Sequence, residues 1–304
     1  MDAAFALALL RLDGVGRVTA HRLLDHFPEA ETLRACPREQ VLLRIKGAPR
    51  ADKIVARLFD EATLDAHLVA TREEIATLAE RRIAVLTPGH PHWPDGLAAL
   101  PRSERPVVLY AFGSAEVLAT EPVALFGQTP LPTTPFETAQ TLARRLIAEG
   151  IPLACGARSG FDVVLHKLAT AAAHPCVLVA RTGLAQIDAP ARPSVAAVVK
   201  AGGVLVSPFR VRHGPFDHDD TERALVQAAL AGPCAFFAPR TETPEARALA
   251  WALEQDRPVF GLADEEIGDK PEADTALTLP DRVHRLNRPV DLDWVVAASR
   301  GTEA

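Results

Sequence analysis

Two kinds of hydrophobic pattern divide the chain. Over residues 1–60 apolar positions recur at helical spacing, with no strand-like alternation. From Ile83 onward, short apolar runs take over, at 83–87 and 107–112 and then at 123–126, 152–155, 176–180, 204–207, 234–238 and 258–262. Among the last six lie amphipathic stretches near 136–149, 161–173, 193–201, 220–231 and 244–255. Apolar runs of four or five residues alternating with helices predict a mostly parallel sheet covered on both faces. Right-handed crossovers make this a doubly wound, Rossmann-like sheet of the α/β class, whose ligands bind outside the carboxyl ends of the strands. The pattern therefore predicts a small all-helical domain over 1–62, an extended Rossmann-like domain over 63–265 and a tail over 266–304.

A short motif occurs twice within the helical region. Leu12-Asp13-Gly14-Val15-Gly16-Arg17 runs into a helix carrying Val18, Leu23 and Leu24. Ile45-Lys46-Gly47-Ala48-Pro49-Arg50 runs into a helix carrying Ile54, Val55 and Leu58. The repeat resembles the helix-hairpin-helix motif of small SAM-like domains, in which a glycine turn exposes N–H groups at a helix N-terminus and the dipole favours a phosphate. Gly14, Gly16, Arg17, Lys46 and Arg50 are its candidate phosphate contacts, with Lys53 adding charge. Pro49 removes one N–H from the second copy. A glycine turn also serves ordinary helical hairpins and protein contacts, so both roles stay open.

Composition narrows the classes. Of 304 residues 48% are hydrophobic and 24% charged, ample for a packed core, which excludes global disorder. No apolar run reaches membrane-spanning length, and Ala3 to Leu10 lacks the basic flank of a signal peptide. Cys36, Cys155, Cys176 and Cys234 lie far apart, which fits neither a zinc site nor a disulfide framework and points to a reducing, cytoplasmic setting. The formal charge of -6 is uneven. Residues 1–60 carry ten Lys/Arg against eight Asp/Glu and residues 61–214 fourteen against thirteen, but residues 215–304 carry nine against eighteen. An anionic ligand therefore prefers the first two-thirds of the chain, and the acidic end reads as a solubilising tail.

The loops after the strands hold the candidate chemistry. The first, Gly127-Gln128-Thr129-Pro130-Leu131-Pro132-Thr133-Thr134-Pro135, is not G-x-G-x-x-G, and no P-loop occurs, so a dinucleotide site is not expected. The second, Cys155-Gly156-Ala157-Arg158-Ser159-Gly160-Phe161-Asp162, brings two glycines, an arginine and a hydroxyl to a helix N-terminus, a plausible anion cradle. Asp162 and His166 fall on one helical face, where the carboxylate orients the imidazole or simply caps the helix. Lys167 follows. Arg181 and Gly183 stand in the third loop, and Ser207, Arg210 and Arg212 after the next strand. Arg158, Arg181, Arg210 and Arg212 form, on this reading, a positive rim suited to phosphate backbones. His213 to Asp220 offers metal-ligating residue types, but reads better as an acidic loop capping the next helix, and no metal is expected. Phe209 and Phe216 are the loop aromatics placed for base stacking.

Taken in order, these segments resemble the DprA/Smf family of DNA-processing proteins from about residue 5 to residue 263. The resemblance rests on the helix-hairpin-helix-like start and on His90-Pro91-His92-Trp93-Pro94-Asp95-Gly96-Leu97 and Pro106-Val107-Val108-Leu109-Tyr110. It continues through Cys155 to Asp162 with His166, Thr182-Gly183-Leu184, Gly202-Gly203-Val204-Leu205-Val206-Ser207 and Ala252 to Phe260. It implies a non-catalytic homodimer without cofactor that binds single-stranded DNA in natural transformation, protects it and helps load the RecA recombinase. Gly127, Gly156, Arg158, Ser159, Gly160, Asp162, His166, Lys167, Arg181, Gly183, Ser207, Arg210 and Arg212 then belong to the DNA site. The residues depart from the family pattern where Gly-Ser-Arg becomes Gly127-Gln128-Thr129, where acid replaces base at Asp217 to Glu222, and where Ser-Gly-Ser becomes Thr243-Pro244-Glu245. The glutamate after Ser207 is Pro208. The last 40 residues are too short and irregular for the winged-helix domain many members carry.

Two other readings remain. One is a divergent paralogue with weak DNA binding that acts through protein contacts. The other is a nucleotide-binding sensor of the wider lysine-decarboxylase-like superfamily, without the Pro-Gly-Gly-x-Gly-Thr motif of its hydrolases. Leu225, Val226 and Leu230 lie on a helix that could serve as a dimer face.

Overall fold

The computed structural model describes residues 1–264 and 276–301. They fall into two units, 1–93 with 101–110, and 94–100 with 111 onward.

The first unit contains α1 (Ala3–Arg11), α2 (Arg17–Leu24), α3 (Ala30–Arg34), α4 (Arg38–Arg44), α5 (Ala51–Leu58), the long α6 (Glu61–Glu80) and β1 (Ile83–Leu86). Asp2 starts α1 by accepting from the Ala4 N–H at 2.7 Å, the usual way an aspartate satisfies an otherwise orphaned donor. Phe5 and Leu9 on α1 and Leu12 just after it are buried, as are Leu64 and Leu68 on α6. The buried Thr71 hydroxyl ties α6 to the Ala4 carbonyl at 2.9 Å.

Both copies of the repeated motif are helix–turn–helix units, α1 to α2 and α4 to α5. Gly14 and Gly47 hold φ of +88° and +86°, the left-handed region that favours glycine. Each copy also reaches the other's turn. Arg22 on α2 donates to the Lys46 carbonyl at 3.3 Å, and Arg57 on α5 donates to the Asp13 carbonyl at 3.0 Å.

β2 (Leu109–Gly113) runs across the boundary between the units. The second unit then alternates as predicted: β3 (Val123–Gly127), α7 (Thr133–Ala148), β4 (Leu153–Gly156), α8 (Phe161–Ala171), β5 (Cys176–Val179), α9 (Arg192–Lys200), β6 (Val204–Ser207), α10 (Asp219–Leu230), β7 (Cys234–Phe237), α11 (Pro244–Glu254) and β8 (Val259–Leu262). Its strands lie in the order β6-β5-β4-β3-β7-β8, with every neighbouring pair parallel. The chain winds outward from β3 to β6 and then returns to the other side through β7. β3 and β7 thus flank the topological switch point, where a doubly wound sheet opens a crevice at its carboxyl ends.

The sheet is apolar on both faces, which explains the continuous runs in the sequence. Val123 and Leu125 join Leu142, Leu146, Leu153, Leu165 and Phe237 in one core. Phe126 and Phe236, pointing the other way, stack at 4.5 Å. α10 packs on α11 and on the strands. Leu225, Val226 and Leu230 are at most 4% exposed, so they face the core and not a second protomer.

The acidic tail is also corrected. Residues 266–275 lie outside the described residues, but beyond them β9 (His284–Arg285) adds to β8 in parallel, Phe260 opposite His284. α12 (Asp291–Ser299) buries Leu292, Val295 and Val296 in the same core as β3. The apolar positions of this segment outweigh its net acidity. No helix among the described residues is long and apolar enough to cross a membrane.

Candidate functional site

The loops after β3, β4 and β5, together with the N-terminal turns of α10 and α11, surround a crevice of about 360 Å³. Gln128, Thr129, Arg158, Arg181, Asp220 and Glu245 line it. Gln128 and Thr129 leave β3 and Glu245 follows β7, so the crevice sits at the switch point.

Arg158 is central to it, and each of its nitrogens has a partner. Nε donates to Asp162 Oδ2 at 3.0 Å, Nη2 donates to the Gly127 carbonyl at 3.3 Å, and Nη1 stands 3.0 Å from Glu245 Oε1 and 3.6 Å from Asp220 Oδ1. Burial disfavours its charge, but Asp162, Glu245 and Asp220 more than offset that and hold its pKa above the ordinary arginine value. Glu245, 2% exposed, also accepts from Arg223 Nη2 at 3.1 Å and from Gln128 Nε2 at 3.0 Å. Arg223 is itself fully buried, with Nε on Asp220 at 2.8 Å and Nη1 on Gln227 at 2.5 Å. Burial raises the Asp220 pKa, and Arg223, Arg158 and Arg181 outweigh it, leaving the carboxyl below the usual range.

Arg181 bonds Asp188 at 3.3 Å and faces Asp220 at 3.7 Å. Arg158, Arg181 and Arg223 are thus set against four carboxylates, those of Asp162, Asp188, Asp220 and Glu245, for a local charge of minus one. The expected positive rim is corrected accordingly. Arg158 and Arg181 are neutralised inside an ion network, while Arg210 and Arg212 are exposed.

The remaining predicted residues shape the crevice. A Cβ on Gly156 would stand 2.3 Å from Asp162 Oδ2, so this glycine lets the carboxylate close on Arg158. Gly160, at φ +81°, begins α8 against Thr129, whose Oγ1 accepts from the Phe161 N–H at 3.0 Å. Thr129 thereby supplies the cap that was one of the two roles open to Asp162, and one donor of the expected anion cradle is already used. Ser159 is exposed beside it, and Lys167 is exposed on α8. Gly127 leaves room for the Phe161 ring, 3.0 Å from where a Cβ would stand.

His166 is fully buried. Its Nε2 donates to the Gly156 carbonyl and its Nδ1 meets Ser194 Oγ, both at 2.9 Å, so it braces the β4 loop to α9. Gly183 donates to the His213 carbonyl and would clash with the Arg210 carbonyl if it carried a Cβ. Ser207 is likewise turned inward: fully buried, it donates to the Thr182 carbonyl at 2.8 Å. These hydroxyl and N–H groups join the β5 and β6 loops to each other.

At the start of α10, Asp219 is fully buried and accepts from two groups of the preceding loop, His213 Nε2 at 2.9 Å and the Phe216 N–H at 2.8 Å. It therefore fastens the loop. Phe209 is buried and stacks on His213 at 4.7 Å, which removes it as a base platform, whereas Phe216 is 57% exposed. Among the described residues no His, Cys, Asp and Glu group is arranged to hold a metal. The Cys155 thiol is pushed well up by its hydrogen bond with Cys176 and by burial, and burial alone pushes Cys234 up to about 12.

In the first unit Arg17 begins α2 and donates to the Ser103 carbonyl at 3.1 Å. Gly16 is the N-cap of α2, and Arg50, at φ +58°, that of α5; neither helix start has a side-chain cap. Lys46, Arg50 and Lys53 are exposed around the second turn.

The family model of DNA recombination-mediator protein A matches residues 84–278. The chain belongs to that family. Among solved structures it is similar to DNA processing protein A (DprA) from Streptococcus pneumoniae, with TM-score 0.66 and 15% identity over 100% of this chain and 94% of that one. It is also similar to DNA processing protein A from Helicobacter pylori, studied for its single-stranded DNA binding mode, with TM-score 0.58 and 16% identity over 73% of this chain and 98% of that one. Both likenesses concern the fold. No curated protein matches the sequence.

The sequence missed the ion network. Gln128 and Thr129 were read as part of the first strand loop and Asp220 as part of an acidic capping loop, Glu245 stood out only as a departure from a family pattern, and Asp188 and the burial of Arg223 not at all. The Asp220–Arg223 spacing is a local signal; the approach of Glu245, from a separate helix, has none.

Proposed function

We propose that this chain is a non-catalytic, DprA-like protein that binds single-stranded DNA during recombination or transformation, protects it and helps load a RecA-type recombinase as a homodimer in the cytoplasm. The observation that carries the reading is family membership across 84–278 combined with an arginine-bearing crevice at the switch point. In this proposal Arg158, Ser159, Gly160 and Arg181 meet phosphate in the crevice, with Lys167, Arg210 and Arg212 as outer charges. Gly127, Gly156, Asp162, His166, Gly183 and Ser207 hold the loops that carry them. Gly14, Gly16, Arg17, Lys46 and Arg50 form a second, separate phosphate contact within a helix-hairpin-helix domain over 1–62.

A salt series with a fluorescent single-stranded oligonucleotide, with duplex DNA as competitor, tests the reading. Tight, salt-dependent binding that prefers single strands supports it, because phosphate contacts release counterions. Failure to bind at low salt overturns it. The full set of partners on Arg158 favours a second reading, a member with weak DNA affinity that works through protein contacts, and the same titration separates the two.

A further inference from the structure

Arg158 and Arg181 stand on neighbouring loops, after β4 and β5, and line the same crevice. Asp220, in the first turn of α10, lies between them. Its Oδ1 is 3.6 Å from Arg158 Nη1 and its Oδ2 is 3.7 Å from Arg181 Nη1. These contacts are too long for hydrogen bonds; the carboxylate neutralises both arginines while making its bond to Arg223 at 2.8 Å. The two guanidinium groups thus face a common position that is filled in charge but incompletely filled in hydrogen bonding.

We propose that Asp220 is a built-in surrogate for phosphate, occupying the anion position between Arg158 and Arg181, so that a polyphosphate or a DNA phosphodiester enters the crevice only by displacing it. This rests on the reading of the crevice as a phosphate site. Displacing the carboxylate leaves each of its arginine partners with other contacts. When it swings away, Arg223 keeps Gln227 and Glu245 and is not stranded. Arg158 keeps Asp162, the Gly127 carbonyl and Glu245. Arg181 keeps Asp188 and offers Nη1, which has Asp220 only at 3.7 Å. Opposing this, an incoming phosphate meets a local charge of minus one while Asp220 remains, and a single unit charge beside it is enough to weaken binding by about tenfold or more. Asp220 therefore lowers the affinity of the crevice for a phosphate that would take its place.

The test compares Asp220→Asn with the unaltered full chain by calorimetric titration of tripolyphosphate at fixed ionic strength, with the single-stranded oligonucleotide in parallel. Asp217→Asn removes the same formal charge from an exposed position three residues earlier, in the loop before α10, and serves as control. Asp220→Asn is expected to bind tripolyphosphate about tenfold tighter or more, and Asp217→Asn to change by less than about twofold. Equal affinity of Asp220→Asn and the unaltered chain, or an equal gain in Asp217→Asn, overturns the proposal. Asp220→Ser takes its place should the amide fail to fold. A tripolyphosphate gain without oligonucleotide binding by either protein upholds the surrogate and removes the DNA reading. Oligonucleotide binding without that gain does the reverse.

Discussion

Gly14 and Gly47 adopt one backbone conformation, φ +88° and +86°, at equivalent places in two copies of a motif. Any L-residue there strains the left-handed turn. Gly14→Ala and Gly47→Ala are each expected to lower stability by roughly 1–2 kcal/mol. Gly16 has φ −87° and open space where a Cβ would go, so Gly16→Ala is expected to stay within about 0.5 kcal/mol. Urea denaturation of the three variants, read at constant m, checks this. Equal costs at all three positions would refute the assignment of the turn to Gly14 and Gly47.

Arg223 and Glu245 meet inside the protein at 3.1 Å, both at most 2% exposed. Removing one member leaves a buried charge short of a partner, so Arg223→Met is expected to cost about 3–5 kcal/mol. Arg223→Met combined with Glu245→Leu should cost less than the two single changes added together, because neither charge then remains to be compensated. A double-mutant cycle in guanidinium chloride measures the difference. Strict additivity would show that the two side chains do not act as a pair.

Asp220 supplies an acid-dependent share of stability. Its carboxyl is depressed in the folded protein, so this contribution is fully present above the unfolded value, about 3.9, and is lost as pH falls through the lower folded value. Asp220→Asn is therefore expected to flatten the acid limb of the stability–pH curve while leaving its neutral limb parallel to the original. Thermal melts between about pH 6 and pH 2 follow it; an unchanged acid limb would place the titrating load elsewhere.

Arg158 and Arg212 should separate stability from binding. Arg158 is bound to three carboxylates, so Arg158→Ala is expected to lower the melting temperature by several degrees. Arg212 is exposed, so Arg212→Ala is expected to leave the melt unchanged and, on the DNA-binding reading, to reduce the salt slope for single strands by about 0.7. Paired melts and salt titrations of both variants decide it, and a normal melt for Arg158→Ala would count against the ion network.

The alternation of apolar runs and amphipathic stretches was enough to place the strands β3 to β8 and the helices between them, because a parallel sheet buried on both faces leaves an unmistakable mark at every strand. The glycine turns at Gly14 and Gly47 were legible for the same local reason. The site was less so. Arg158 and Arg181 were found as loop arginines, but whether a guanidinium faces solvent or carboxylates depends on Asp220 and Glu245, which arrive from other helices. Ser207 and Gly183 looked like ligand contacts because hydroxyls and glycines at strand ends serve both roles, and only the distances to Thr182 and His213 separate them. Val295 and Leu292 were hidden by an acidic segment whose net charge masked its apolar face.

The carboxylate-saturated arginines have a thermal consequence. Hydration of charged groups becomes less favourable as temperature rises, so the cost of drying an ion network falls while the gain from apolar burial levels off. The junction where Arg158, Arg223, Asp220 and Glu245 tie the loops after β3, β4 and β7 together should then loosen later on warming than an apolar junction of the same size. Heating would be expected to fray this protein at its periphery before it opens the crevice.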